Sequence, residues 1–207
     1  MQNDWLFRAL EQSRARSYLG PADIEQQIAH AEGFAECWED LHPSPPGELL
    51  DLGSGGGLPG LVLLERWACR TVLVDSMIKR MRFLTEVLAE VDAPTNAEVI
   101  TGRAEEVARN PLLSGAFDLV TARSFGPPAV TAECAVRFLK VGGVLIVSEP
   151  PDDSETGRWN GEILAELGLA AKGRVRHGAA FQILLKTSAT PEKYPRGIGI
   201  PGKSPLF

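Results

Sequence analysis

The chain has 207 residues, 44% of them apolar and 23% charged, and a formal charge of −6. That is enough for one domain with a real core, and the composition is neither disordered nor fibrous. The acidic balance excludes a generally basic nucleic-acid coat but not a local basic face, and the scattered Cys37, Cys69 and Cys134 give neither a disulfide framework nor a zinc site.

Residues 1–47 read as a helical extension. A short helix is expected around Trp5, Leu6, Ala9 and Leu10. A longer one follows from the 3.6-type recurrence of Ile24, Ile28, Ala31, Phe34, Ala35, Trp38 and Leu41, with Asp23 as a cap. The prolines and glycine of His42–Glu48 stop it. This head is markedly acidic, the body from 51 to 186 nearly neutral and the tail weakly basic.

Residues 48–186 alternate between strands and helices. Strands are expected at 48–52, 71–74, 97–100, 118–122 and 144–148, and helices at 58–67, 77–91, 130–139 and 163–167. Val175 and Phe181–Leu185 suggest a closing antiparallel pair, since the His177-Gly178 link is short. The fold class is therefore α/β, with a mostly parallel seven-stranded sheet covered on both faces. The tail, 187–207, is rich in proline and glycine and is expected to be an extended arm. No stretch is apolar enough to cross a membrane, and Asp4 sits too early for a secretory signal. A cytoplasmic monomer without metal is the simplest expectation.

The strongest local signal runs from Asp51 to Gly60 (DLGSGGGLPG), between a strand and a helix. Glycines there allow a sharp turn and a close approach of ligand to backbone. The loop is not a P-loop, because no GxxxxGK is present. Asp75 closes the next strand, where an acid can hold both hydroxyls of a ribose. Asp51 at the strand end would repel a pyrophosphate and suit a cationic ligand. S-adenosylmethionine has a sulfonium, an ammonium and a ribose but no phosphate, so the charges favour it over NAD or FAD. Gly53, Ser54, Gly55, Gly57, Leu58 and Ser76 are the candidate cofactor-binding residues of this stretch. After the third strand, the Ala104 N–H and the Glu105 carboxylate could meet adenine; the plainer reading of Glu105 and Glu106 is a solvated helix start.

On the substrate side, the fourth strand ends in Arg123, which could hold a phosphate or the edge of a guanine, or pair with Glu149 or Asp75. Phe125 stacks on a base or closes the core. Lys79, Arg80 and Arg82 oppose the dipole of their helix, which hints at a phosphate partner for Arg80. Arg103 is a surface residue or an RNA contact. A ring nitrogen such as guanine N7 needs no deprotonation to accept a methyl group, which suits a chain with no obvious base.

The motifs Asp51-Leu-Gly-Ser-Gly-Gly-Gly-Leu-Pro-Gly60, Leu73-Val-Asp75-Ser76-x-x-Lys79-Arg80, Gly102-Arg103-Ala-Glu105-Glu106 and Ala122-Arg123-Ser-Phe125 together resemble the 16S ribosomal RNA guanine N7-methyltransferase family, also called glucose-inhibited division protein B. The resemblance covers about residues 48–148, and the tail from Lys193 to Leu206 is similar to the ends of some members. It implies a Rossmann-like class I methyltransferase domain using S-adenosylmethionine on small-subunit ribosomal RNA. It also implies Asp75 on the ribose, Gly53, Gly55 and Gly57 around the cofactor, Ala104 and Glu105 near adenine, and Arg80, Arg103 and Arg123 toward cofactor or RNA, with Arg80 and Arg123 positioning the substrate. Two departures are visible. The head reads Ile28-Ala-His30-Ala-Glu32 where members carry Arg-His-x-x-Asp-Ser, and Ser148-Glu149-Pro150 follows the fifth strand where members carry Lys-Gly. A divergent paralogue acting on a small molecule or protein, or binding a nucleoside without turnover, is the alternative.

Overall fold

A computed structural model describes residues 4–151 and 157–207. Seven strands form one sheet in the order β3-β2-β1-β4-β5-β7-β6. β1 (Glu48–Leu52), β2 (Arg70–Asp75), β3 (Ala97–Thr101), β4 (Phe117–Ala122) and β5 (Leu139–Glu149) are parallel. β7 (Ala179–Lys186) runs antiparallel to β5, and β6 (Leu169–His177) antiparallel to β7. The chain order reverses beside β1, which places a crevice at the carboxyl ends of β1 and β4.

Strand alternation decides what each face buries. In β1, Leu49 packs with Phe34, Trp38, Leu119, Ile146 and Phe181, whereas Leu50 and Leu52 pack with Val72, Val120, Leu145 and Phe138 on the opposite face. The first face carries α1 (Asp4–Ala15), α2 (Ile24–Glu39), α3 (Gly60–Trp67) and α4 (Ile78–Leu88). The second carries α5 (Ala104–Val107), α6 (Pro128–Ala135) and α7 (Gly161–Leu167). The acidic head lies on the sheet as part of the core: Trp5 is wholly buried and its indole N–H donates to the Val87 carbonyl at 2.9 Å.

Three local features differ from the sequence expectation. Asp23 stands at the start of α2, but its side chain makes no capping bond. The sixth helix ends at Ala135 and β5 begins at Leu139, so Gly142 and Gly143 lie inside the strand, where its register with β4 shifts between Phe117 and Leu119. The tail is not simply extended: Ile200–Lys203 forms a one-turn helix, α8, with Pro201 in its first turn, where a fixed φ and a missing N–H are tolerated.

Candidate functional site

The carboxyl ends of β1 to β4 converge on a cavity of about 290 Å³. Its floor is the glycine loop. The N–H groups of Gly53 and Ser54 both donate to the Val74 carbonyl, at 2.8 and 3.0 Å, which ties the loop to β2. Gly53 has φ of +76°, and a Cβ there would lie 2.7 Å from the Phe125 ring, so only glycine fits. Asp75 then locks the loop to α4. Its Oδ2 accepts from the Gly55 N–H at 3.0 Å and its Oδ1 from the Met77 N–H at 2.8 Å. Both oxygens keep acceptor capacity, and the half-buried residue lines the cavity.

The opposite wall begins at Gly102. Ala104 opens α5, so its N–H has no partner within that helix. The side chain of Glu105 is 3% exposed. Its Oε1 accepts from the Gly199 N–H at 2.9 Å and from Arg103 at 3.0 Å. Its Oε2 is buried without a hydrogen-bond partner. Burial raises the Glu105 pKa, but the Gly199 amide and Arg103 outweigh it and hold the carboxyl below its usual range. Cys134 lines the same cavity, and burial pushes its thiol up to about 12, so it is no nucleophile at neutral pH.

The tail supplies the last wall, through Gly202. What holds it there is a buried ion pair: Glu133, wholly buried on α6, accepts from Arg196 Nη2 at 2.6 Å, and from Arg196 Nε and the Arg196 backbone N–H at 2.8 Å. Arg109 and Arg137 donate to the carbonyls of Pro195 and Pro191 at 2.6 and 3.0 Å. Residues 191–203 thus form a strap across α5 and α6.

Seven of the residues expected at the site line this cavity: Gly53, Asp75, Ser76, Arg80, Arg103, Ala104 and Glu105. The others do not. Asp51 is wholly buried, turned to the Thr121 hydroxyl at 2.9 Å and the Gly60 N–H at 3.1 Å. Burial pushes its pKa up to about 6, against the hydrogen bonds that pull it down. Asp51, expected to meet a cationic ligand either through a water bridge or by contact with an amino group, does not line this cavity; its place in β1 points it at the start of α3. Ser54 donates to the Asp51 carbonyl at 2.8 Å, Gly55 is engaged by Asp75, and Gly57 and Leu58 pack inward beside Leu61. Arg123 donates to Gln27 of α2 at 3.0 Å, not to Glu149 or Asp75, and burial lowers its pKa. Met77, Phe125, Val130 and Gly202 line the cavity as well. The position of Met77 two residues after the strand-ending acid was a usable signal; for Gly202 the sequence offered only the similarity of the tail to the ends of some family members.

Among the described residues, no cluster of His, Cys, Asp or Glu could hold a metal ion, and no helix is long and apolar enough to cross a membrane. Residues 27–150 match the family model described as rRNA small subunit methyltransferase G. The ribosomal RNA small subunit methyltransferase G of Leuconostoc mesenteroides is 33% identical over 180 residues, covering 82% of this chain and 73% of that protein. The protein of the same name from Symbiobacterium thermophilum is 33% identical over 204 residues, covering 88% and 79%. Among solved structures, the O-methyltransferase TomG from Streptomyces achromogenes superposes with a TM-score of 0.63 at 18% identity, covering 91% of this chain and 92% of that one. At that identity the likeness speaks for the fold.

Proposed function

The chain belongs to the rRNA small subunit methyltransferase G family, and from that premise we propose that it transfers a methyl group from S-adenosylmethionine to guanine N7 of 16S ribosomal RNA. The observation that carries the reading is the pair of acids in one cavity, Asp75 beside the glycine loop and Glu105 with a buried oxygen that lacks a donor. A nucleoside with two sugar hydroxyls and an exocyclic amino group supplies the donors both acids can accept.

The residues present fit this cofactor. Asp75 would take the ribose hydroxyls, and Glu105 Oε2 and the Ala104 N–H the adenine edge. Met77, Phe125 and Val130 offer apolar surface to the purine. When bound, S-adenosylmethionine supplies an electrophilic methyl group. The protein's work is then placement. Guanine N7 carries a free lone pair, so no side chain has to remove a proton, and no histidine lines the cavity. Arg80, which lines the cavity near Gly55, would meet RNA phosphate.

The test is methyl transfer from labelled S-adenosylmethionine into small ribosomal subunits that lack the modification, followed by mapping of the modified base. Label at N7 of a single guanine is the expected result. Label on another atom, or in small molecules alone, would overturn the ribosomal reading and leave the methyltransferase fold intact.

A further inference from the structure

The acidic head and α4 meet beside the cofactor cavity, and cations gather at that seam. The turn after α1 is fastened to the glycine loop: Ser13 donates to the Gly56 carbonyl at 2.8 Å, and a Cβ on Gly56 would lie 2.9 Å from the Tyr18 carbonyl oxygen. Arg16, on that turn, sets its guanidinium 4.9 Å from the centre of the Phe83 ring. Phe83 meets the Tyr18 ring edge-on at 5.7 Å, and the Arg80 guanidinium lies 6.0 Å from the centre of Tyr18. Two cations therefore flank an aromatic pair, and Arg80 also lines the cofactor cavity. Lys79 and Arg82, both exposed, adjoin Arg80 and Phe83 along α4.

Among the described residues, Arg16, Lys79, Arg80 and Arg82 make no ion pair, not even with the exposed Glu86 one turn beyond Arg82. Cations at the other end of the sheet are matched. Arg66 pairs with Glu32 and Glu39 at 2.6 and 2.9 Å, and Arg70, which opens β2, with Glu48 and Glu98 at 2.5 and 3.1 Å. The first turn of α4 also holds no acid, so Lys79 and Arg80 oppose its dipole without compensation. Like charges held together at a local cost, in a chain of net charge −6, mark a face kept for an anion. We propose that Arg16, Lys79, Arg80 and Arg82 form the RNA-docking face, gripping backbone phosphates that flank the target base. The inference rests on the RNA substrate proposed above. Cations drawn from two elements, with the half-buried Tyr18 ring between Arg16 and Arg80, suit a phosphodiester chain with its bases better than one isolated phosphate. The head, acidic as a whole, thereby takes part in substrate binding through its one turn against the glycine loop.

The inference can be tested without turnover. The full chain, saturated with S-adenosylhomocysteine, is titrated against fluorescently labelled, unmodified 16S RNA fragments at several potassium chloride concentrations. The double variant Lys79→Gln/Arg82→Gln should bind RNA more weakly, on the order of tenfold near physiological salt. It should also flatten the slope of log affinity against log salt by about 1.5, since each phosphate contact releases roughly one counterion. Arg16→Gln alone should flatten the slope by about 0.8. Arg66→Gln/Arg70→Gln removes the same total charge from cations that are already paired, and should leave the slope of the parent. Unchanged S-adenosylhomocysteine affinity in each variant shows that the fold is intact. A parental slope in Lys79→Gln/Arg82→Gln, an equal flattening in Arg66→Gln/Arg70→Gln, or uptake of phosphatidylglycerol vesicles by a parent that binds no RNA would each overturn the face. Failure of the ribosomal reading looks different: RNA binding dependent on Lys79 and Arg82 would persist while small subunits acquired no N7-methylguanine.

Discussion

Asp75 does two jobs with one carboxylate, holding the Gly55 and Met77 amides while presenting its remaining lone pairs to the cavity. Replacing it removes the clamp on the loop and, on the proposed reading, the sugar acceptor as well. Asp75→Ala should weaken S-adenosylmethionine binding by about a hundredfold or more, as two charge-assisted hydrogen bonds are worth about 1.5–3 kcal/mol each; titration calorimetry reads this directly, and an unchanged affinity would remove Asp75 from the site. Asp51 shows what a motif cannot say by itself. The spacing from Asp51 to Asp75 was legible, and so was the glycine turn between strand and helix. Which way the Asp51 side chain faced was settled by β-strand alternation together with Thr121, a partner 70 residues on. The alternative pairing of Arg123 with Glu149 or Asp75 failed for a similar reason: its partner Gln27 lies on α2, in a segment where the sequence offers only an amphipathic pattern.

At the level of elements, β1 was readable because a proline stop precedes its apolar run, and the β2–α4 unit because strand, acid and helix follow within a few residues. The strap was not readable. Its local composition predicts no regular structure, and its docking depends on Glu133, a glutamate that a sequence reader places on a helix surface and that the fold buries completely. Arg196→Ala leaves that carboxylate without its cation, at a cost of about 3–5 kcal/mol. Its expected effects are a lower melting temperature and, because Gly199 and Gly202 lose their seats beside Glu105, weaker cofactor binding. Arg196→Lys should restore part of both. A variant destabilised by that amount yet binding S-adenosylmethionine normally would show that the strap is only structural.

For the whole molecule, the packing of α2 on the sheet brings two oppositely perturbed groups around Arg123. His30, hydrogen-bonded to Ser148 at 2.8 Å, is lowered from 6.5 to about 4 by burial and by the Arg123 charge. The native state keeps it neutral, so its contribution to stability is complete above pH 6.5 and is lost as pH falls toward 4. Asp51 is raised from 3.8 to about 6, so the native state binds its proton more readily than the unfolded chain, and its contribution grows as pH falls from 6 to 3.8. The two slopes oppose each other over nearly the same range. Urea midpoints measured from pH 7 to 4 should therefore drop more steeply on acidification in Asp51→Asn than in the parent, and less steeply in His30→Gln. Identical slopes in all three proteins would refute the pairing.

The idle Oε2 of Glu105 has a consequence for how the protein answers heat. A buried carboxylate oxygen without a donor costs about 1–3 kcal/mol. On the proposed reading, a nucleoside whose purine brings an amino hydrogen would cancel that loss, and one with a carbonyl at the same carbon would set two oxygens against each other. Thermal melts at equal occupancy should thus rise further with S-adenosylhomocysteine than with its deaminated counterpart, so that the fold itself reports which purine it holds.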